Sequence, residues 1–177
     1  DDLSARGRFG YDDKAFYLEF FVKDDVQENY SLPARLFVGD CVQFAFDTEN
    51  NARLKILEGN RGFDDDDYNI VSGLAYGKSL SVCFGAAAAN RARLNEKAVG
   101  ETTIVRDESA GVTHYRVRIP FADLAPLKPE KGRVFGFSYL VFDYDHAEKT
   151  YFHYYIQFTP GIASPPDPSK FAAFMFD

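Results

Sequence analysis

Four consecutive aspartates, Asp64 to Asp67, stand directly before Tyr68 and form the most chemically suggestive run in the sequence. Clustered carboxylates can ligate a metal, act as catalytic acids or bind sugar hydroxyls, and they can equally form a solvated loop. Successive side chains of an extended chain point to opposite faces, so neighbouring aspartates in the run diverge if it is extended. We therefore expect one or two of these carboxylates, rather than all four, to serve any one ligand.

A second polar stretch, "DYDHAEKTYFH", contains Asp143, Asp145, His146 and His153. Carboxylate oxygens and imidazole nitrogens at this spacing could ligate a metal. The alternative is a polar loop between two strands, and the remaining histidine, His114, lies far away in the sequence.

Catalytic patterns are missing from the sequence. It contains no G-x-S-x-G, H-E-x-x-H, Walker or Rossmann motif. Glu19 stands alone on its predicted strand, where one large class of sandwich-fold glycosidases carries an E-x-D-x-E motif. The sequence therefore predicts a protein that is not an enzyme.

The composition excludes several classes of partner. The net charge is −7 and there is no basic cluster, which argues against nucleic acid because its binding depends on grouped Lys and Arg. No apolar run reaches the roughly 18 residues that span a bilayer. Cys41 and Cys83 both fall in strand-like runs and are predicted to be half-buried thiols, with one disulfide between neighbouring strands as the alternative.

Period-two alternation dominates the chain and predicts strands. The pattern is strongest in "AFYLEFFVKDD", in "CVQFAFD" with Val42, Phe44 and Phe46 inward, and in "THYRVRIP". "RVFGFSYLVFDYD" is apolar on both faces, which is typical of a central strand covered on both sides or of an aromatic lining on a concave surface. Glycine-containing turns at "YGK" and "DESAG" predict hairpins. The fold class predicted is all-β: an antiparallel β-sandwich or jelly roll with one or two short helical turns.

Five segments occur in an order that resembles the family 9 carbohydrate-binding modules. They are "YLEFFVKDD", "GDCVQFAFD", "RIPFADL", "GFSYLVFDYD" and the closing "DPSKF". The resemblance covers most of the chain, so residues 1–177 are expected to form one such module, cut from a longer chain. It implies a secreted, periplasmic or cell-surface protein without catalysis, in which sugar binds on aromatic side chains and calcium has a structural role.

The resemblance also implies candidate site residues. Characterised members use two tryptophans as sugar platforms; this chain has none, so Tyr or Phe would replace them. The predicted sugar-binding residues are Tyr68, Asn69, Tyr151, Tyr154, Gln157 and Phe158. Calcium takes six to eight oxygen ligands, which must converge here from separate loops. The candidate metal ligands are Asp24, Asp25, Asp40, Asp64, Asp66, Asp143 and Asp145.

Two functions follow from these observations. In the first, the module binds an oligo- or polysaccharide and tethers neighbouring domains of a longer chain to it, which raises their concentration at the substrate. In the second, the domain has kept the sandwich and lost the sugar site, and it serves as a structural or protein-interaction domain. Neither function involves nucleic acid or membrane insertion.

Overall fold

The computed structural model describes residues 3–57, 59, 62–145, 154–163 and 165–177. Two antiparallel sheets pack face to face, and the predicted all-β sandwich is confirmed. The jelly-roll connectivity stays a prediction.

The strands match most of the predicted segments. Their bounds are β1 Ser4–Tyr11, β2 Ala15–Lys23, β3 Cys41–Asp47, β4 Asp67–Ala75, β5 Lys78–Gly85, β6 Lys97–Ala98, β7 Glu101–Asp107, β8 Val112–Pro120, β9 Val134–Asp143, β10 Tyr154–Gln157 and β11 Ala172–Met175. The helices are short: α1 Ala52–Leu57, α2 Arg91–Leu94, and 3-10 turns at Pro33–Val38, Phe121–Leu124 and Pro168–Lys170. The described chain thus has more helical turns than the one or two predicted.

The smaller sheet has the order β1-β2-β8-β7, and the larger has the order β10-β9-β3-β4-β5-β6 with β11 also paired to β9. Both predicted hairpins are present. Tyr76 and Gly77 join β4 to β5 with φ angles of 49° and 70°, a left-handed conformation that glycine adopts readily. The β7–β8 hairpin closes at the pair formed by Asp107 and Val112.

Aromatic side chains fill the space between the sheets. Phe16 of β2 meets Phe46 of β3 edge to face, with ring centroids 5.3 Å apart, and Phe46 lies 5.0 Å from Phe137 of β9. Val42, Phe44 and Phe46 are all fully buried in this core, as the alternation along β3 predicts. Their inward orientation sends the intervening residues of β3 to the outer face of the larger sheet.

The outer face of the larger sheet is partly covered. The turn at Pro33–Val38 lays Leu36 against Val71, while Ile162 and Phe171 lie over the other half of the sheet, in a cluster with Leu140. A strip of the sheet between these two covers stays open, and it positions the candidate site.

Strand β1 was not predicted. It is an edge strand whose residues are mostly exposed, and the glycines and arginines in "SARGRFGY" hide the alternation. Cys41 and Cys83 are both free and buried, with β4 between their strands, so the alternative of a disulfide is wrong. None of the helices in the described ranges is long and apolar enough to cross a membrane.

Candidate functional site

A groove of about 310 Å³ lies on the outer face of the larger sheet, between the two covers. Its floor comes from β3 and β4, which contribute Gln43 and Asn69, and its sides come from β5, β9 and the loop segments above them. The position of Gln43 follows from alternation, because Val42 and Phe44 on either side of it point into the core.

Aromatic rings stand on both sides of the groove. On the β5 side, Phe84 contacts Phe37 with centroids 5.2 Å apart and the rings nearly perpendicular. On the opposite side, Phe142 of β9 contacts Tyr155 of β10 at 5.5 Å. Tyr155 and Phe142 are directly paired in register, so both side chains project from the outer face.

Two amide side chains lie between these aromatic pairs. Gln43 is 7% exposed. The Oδ1 atom of Asn69 is buried and has no hydrogen-bond partner within the described ranges. A buried carbonyl oxygen without a donor is costly. Asn69 also lines the groove, so its amide is placed to form hydrogen bonds with a ligand that enters it.

The prediction that Tyr68 forms a sugar platform is wrong. Its ring is fully buried between the sheets, and its hydroxyl donates to the backbone oxygen of Ala125 at 2.6 Å and accepts from Nδ2 of Asn90 at 2.9 Å. Burial raises the pKa of Tyr68 to about 12. The physical reason is alternation along β4: Asn69 points to the outer face, so its neighbour must point into the core.

The other predicted sugar ligands are divided between the two faces. Gln157 is in register with Leu140, and so shares the outer face with Asn69. Tyr154 pairs with Asp143 and projects from the opposite side of β10. Phe158 stacks on Tyr139 with centroids 5.4 Å apart, also away from the groove, so a sugar-binding role for these two rings stays a prediction. Tyr151, like His146 and His153, lies outside the described residues.

Several residues of the site were missed: the groove residues Phe37, Gln43, Phe84 and Phe142, and Tyr155, which packs against Phe142. For two of these residues the sequence did contain a signal. Gln43 is a polar residue within an otherwise apolar strand, and Phe142 belongs to the segment that is apolar on both faces. The roles of Phe37, Phe84 and Tyr155 depend on which loops cover the sheet, and the spacing of residues along the strands does not reveal that.

The predicted metal ligands converge to a large extent. Carboxylate oxygens of Asp24, Asp40 and Asp143 lie within 4.8 Å of one another, and all three residues are buried. Asp24, Asp25 and Asp145 form an overlapping group of the same compactness. The cause is topological: Asp40 precedes β3 and Asp143 ends its partner β9, while Asp24 follows β2 of the facing sheet.

Burial raises the pKa of Asp40 to about 8 and that of Asp24 to about 6. Amide hydrogen bonds from Glu28 and Tyr144 to the Asp40 carboxylate oppose its shift. The negative charges of Asp24 and Asp143 add to it. Three buried carboxylates in mutual contact repel one another when ionised, and a cation between them would remove that repulsion.

The aspartate run that precedes β4 divides among several partners. Asp65 is exposed and pairs with Arg91 at 2.7 Å. Asp64 and Asp66 both contact Nζ of Lys55, at 2.6 and 3.2 Å. The four carboxylates thus do not share one partner, and a metal role for Asp64 and Asp66 stays a prediction.

Asp66 also belongs to a second carboxylate group, with Asp47 and Asp67, within 4.8 Å. Oδ2 of Asp67 accepts the Asp64 amide at 2.7 Å. Its Oδ1 is buried and lacks a hydrogen-bond partner in the part of the chain that the structure describes. Burial raises the pKa of Asp67 to about 8. Asp67 was considered only as part of the aspartate run, and Asp47 was missed, because its pairing with Asp67 depends on the register of β3 against β4.

Comparison with known proteins identifies the fold. No protein-family model matches the sequence, and no curated protein does. Solved structures match along the whole chain. A family 9 carbohydrate-binding module from Caldicellulosiruptor kristjanssonii in complex with glucose has a TM-score of 0.72 at 17% identity, covering 100% of this chain and 78% of that one.

Two further structures agree. A family 9 module from the same organism in complex with cellotriose has a TM-score of 0.70 at 17% identity, covering 99% of this chain and 75% of that one. A candidate carbohydrate-binding protein from Bacteroides uniformis has a TM-score of 0.60 at 14% identity, covering 99% and 79%. The chain therefore has the fold of the family 9 carbohydrate-binding modules.

Proposed function

We propose that this protein is a non-catalytic carbohydrate-binding module and that it binds sugar in the groove on the outer face of the larger sheet. The observation that carries the proposal is the arrangement of two amides on the outer face, Gln43 and Asn69, between two aromatic pairs on a fold shared with modules that bind glucose and cellotriose.

The chemistry of the groove suits a saccharide. A sugar ring presents apolar C–H patches that pack on aromatic rings and hydroxyls that need hydrogen-bond partners. Phe84 and Phe142 supply apolar surface on opposite sides, and the amides of Gln43 and Asn69 supply hydrogen-bonding groups. The volume of about 310 Å³ is at the lower end for a small-molecule pocket, which fits one or two sugar units better than a long chain.

Calorimetry with glucose, cellotriose and a panel of plant, algal and host oligosaccharides tests the proposal. At least one sugar is expected to bind, and Tyr155→Ala should weaken that binding about tenfold, because the Phe142 ring in the groove wall loses the ring that packs against it. Tyr154→Ala is the matched control, since this neighbouring tyrosine projects from the opposite side of β10. No binding across the panel, or equal losses in both variants, would refute the proposed site.

We also propose calcium as a structural ion at the group formed by Asp24, Asp40 and Asp143. The donors fit a hard cation: they are all carboxylates, they are buried, and they lie within 4.8 Å of one another. Bound calcium would supply positive charge that tethers the end of β2 to the ends of β3 and β9. Asp25 and Asp145 extend the same set of oxygen donors.

The group formed by Asp47, Asp66 and Asp67 is a second calcium candidate. The unpartnered Oδ1 of Asp67 supports a cation there. Lys55 already offers one positive charge to Asp66, so a smaller calcium dependence is expected at this group than at the first.

The module would act by attachment. A secreted, periplasmic or cell-surface location is the setting in which polysaccharide is available, and the sugar-bound domain would hold neighbouring domains of a longer chain near their substrate. Catalysis is not part of the proposal.

A further inference from the structure

A second groove, larger than the first, lies on the opposite side of the molecule. It occupies the outer face of the smaller sheet and has a volume of about 470 Å³. Because paired residues share a face, the strand register defines two rows of side chains across it. One row is Arg8, Glu19, Arg116 and Thr103, and the next is Gly10, Tyr17, Arg118 and Glu101.

Arginine dominates the first row. Glu19 pairs with Arg8, with Arg116 at 3.4 Å, and with His114 at 2.7 Å. One carboxylate thus serves two guanidinium groups, which leaves an excess of positive charge. The side chains of Arg8 and Arg116 remain 76% and 67% exposed, so N–H groups of both stay available to a ligand.

Glu19 holds the arginines in place. Its side chain is only 16% exposed, and the pKa of Glu19 is lowered to about 2, chiefly by its hydrogen bond from Arg8, so it is ionised at all ordinary pH values. The two guanidinium groups are therefore positioned before any ligand arrives.

The second row adds a third guanidinium and an aromatic surface. Arg118 pairs with Glu101 at 2.9 Å, but the Glu101 side chain is 75% exposed, and such a pair contributes little and can be displaced. Tyr17 is 37% exposed, and its hydroxyl donates to Asp12 at 2.8 Å, which fixes the ring.

Open space beside the Tyr17 ring comes from Gly10. The two residues are paired in register, and a Cβ atom added to Gly10 would have no atom within 4 Å. The ring is therefore uncovered on the β1 side, where a neighbouring side chain would normally pack against it.

We propose that this second groove binds an acidic saccharide, with a sugar ring packed beside Tyr17 and its carboxylate or sulfate held by Arg116, Arg118 and Arg8. Charge complementarity selects the ligand, because three guanidinium groups and only two carboxylates line the groove. This local excess of positive charge contrasts with the net charge of −7 of the whole chain. Guanidinium groups bind such planar or tetrahedral anions through two parallel hydrogen bonds. The inference does not rest on the first groove, which uses other residues on the other sheet.

Calorimetry with four probes tests the inference: trigalacturonic acid, a sulfated galactose trimer, and neutral galactotriose and cellotriose. At least one acidic trimer is expected to bind, more weakly as salt is raised, while neutral galactotriose does not compete with it. Preference for the uronate or for the sulfated probe identifies which anion the groove takes. Arg116→Gln should weaken acidic binding about tenfold, since a charge-assisted hydrogen bond is lost.

Gly10→Val should weaken binding of the acidic trimer by a similar factor, because the new side chain fills the open space beside Tyr17. The denaturation midpoint of this variant shows whether the sheet is intact. Arg6→Gln is the matched control: it removes one charge from the same face, over the ring of Phe21, outside the groove. Asn69→Ala, in the first groove, should leave acidic binding unchanged and affect neutral sugars alone. Failure of both acidic probes to bind, or an equal loss in Arg6→Gln and Arg116→Gln, would overturn the inference.

Discussion

At the scale of single residues, orientation decides function. Tyr68 and Asn69 are adjacent in the sequence, yet one ring is buried in the core and the next amide faces the groove. A tyrosine beside acidic residues looks like a sugar platform in the sequence, and only the register of β4 reveals that it is not.

Tyr68→Phe tests this assignment. Removing the hydroxyl leaves the Ala125 carbonyl and the Asn90 amide without that partner, so the free energy of unfolding should fall by about 1 kcal/mol. Sugar affinity should not change. Chemical denaturation and calorimetry on the same samples measure both quantities, with Tyr30→Phe, an exposed ring, as the control. A loss of sugar affinity with unchanged stability would show that Tyr68 does contact the ligand.

Glu19 gives a pH-dependent prediction at the same scale. Its folded pKa of about 2 lies below the ordinary value of 4.5, so its stabilising contribution is present above pH 4.5 and is lost as pH falls towards 2. The melting temperatures of the wild type and of Glu19→Gln should therefore converge as the pH falls from 4.5 towards 2. Parallel curves would mean that Glu19 is not held by the arginines.

At the scale of elements, strands with clean alternation were predicted well and the edge strand was not. The bounds predicted for β3 are those observed, because apolar side chains occupy every inward position. In β1, Gly7 faces inward where a large residue would be expected, because the Phe20 ring already fills the space.

Two glycines of β1 provide a matched test. A Cβ atom at Gly7 would lie 2.5 Å from the Phe20 ring, whereas one at Gly10 meets nothing within 4 Å. Gly7→Val should destabilise the fold by about 1–3 kcal/mol through overpacking. Gly10→Val should change it by less than about 0.5 kcal/mol. Denaturant titration compares them, and equal effects would contradict the inward and outward assignment of β1.

The strand ends that gather Asp24 and Asp40 give a prediction about calcium. Their folded pKa values of about 6 and 8 exceed the ordinary 3.8, so the folded, metal-free chain binds extra protons and loses stability as pH rises from about 4 to 8. Calcium should suppress this loss. Melting temperatures across this range, in chelator and in calcium, measure the difference, and coincident curves would argue against a structural ion.

At the scale of the whole molecule, the sandwich class was predictable and its functional surfaces were predictable only in part. Asp24, Asp40 and Asp143 could be named as candidate ligands from their loop positions, but their convergence requires the pairing of β3 with β9 and the facing end of β2. Gln43 stands out as a polar residue in an apolar strand, but its place in a groove follows only from the loops that flank the sheet.

The central claim is that sugar binds in the groove of Gln43 and Asn69, and their side-chain NH₂ signals in a ¹⁵N-correlated NMR spectrum report on it directly. Titration with the saccharide that binds most tightly should shift both pairs of signals, assigned through Gln43→Ala and Asn69→Ala, while the Asn90 side chain in the core stays unchanged. Saturable shifts confined to other parts of the molecule, with Gln43 and Asn69 unaffected, would contradict the account.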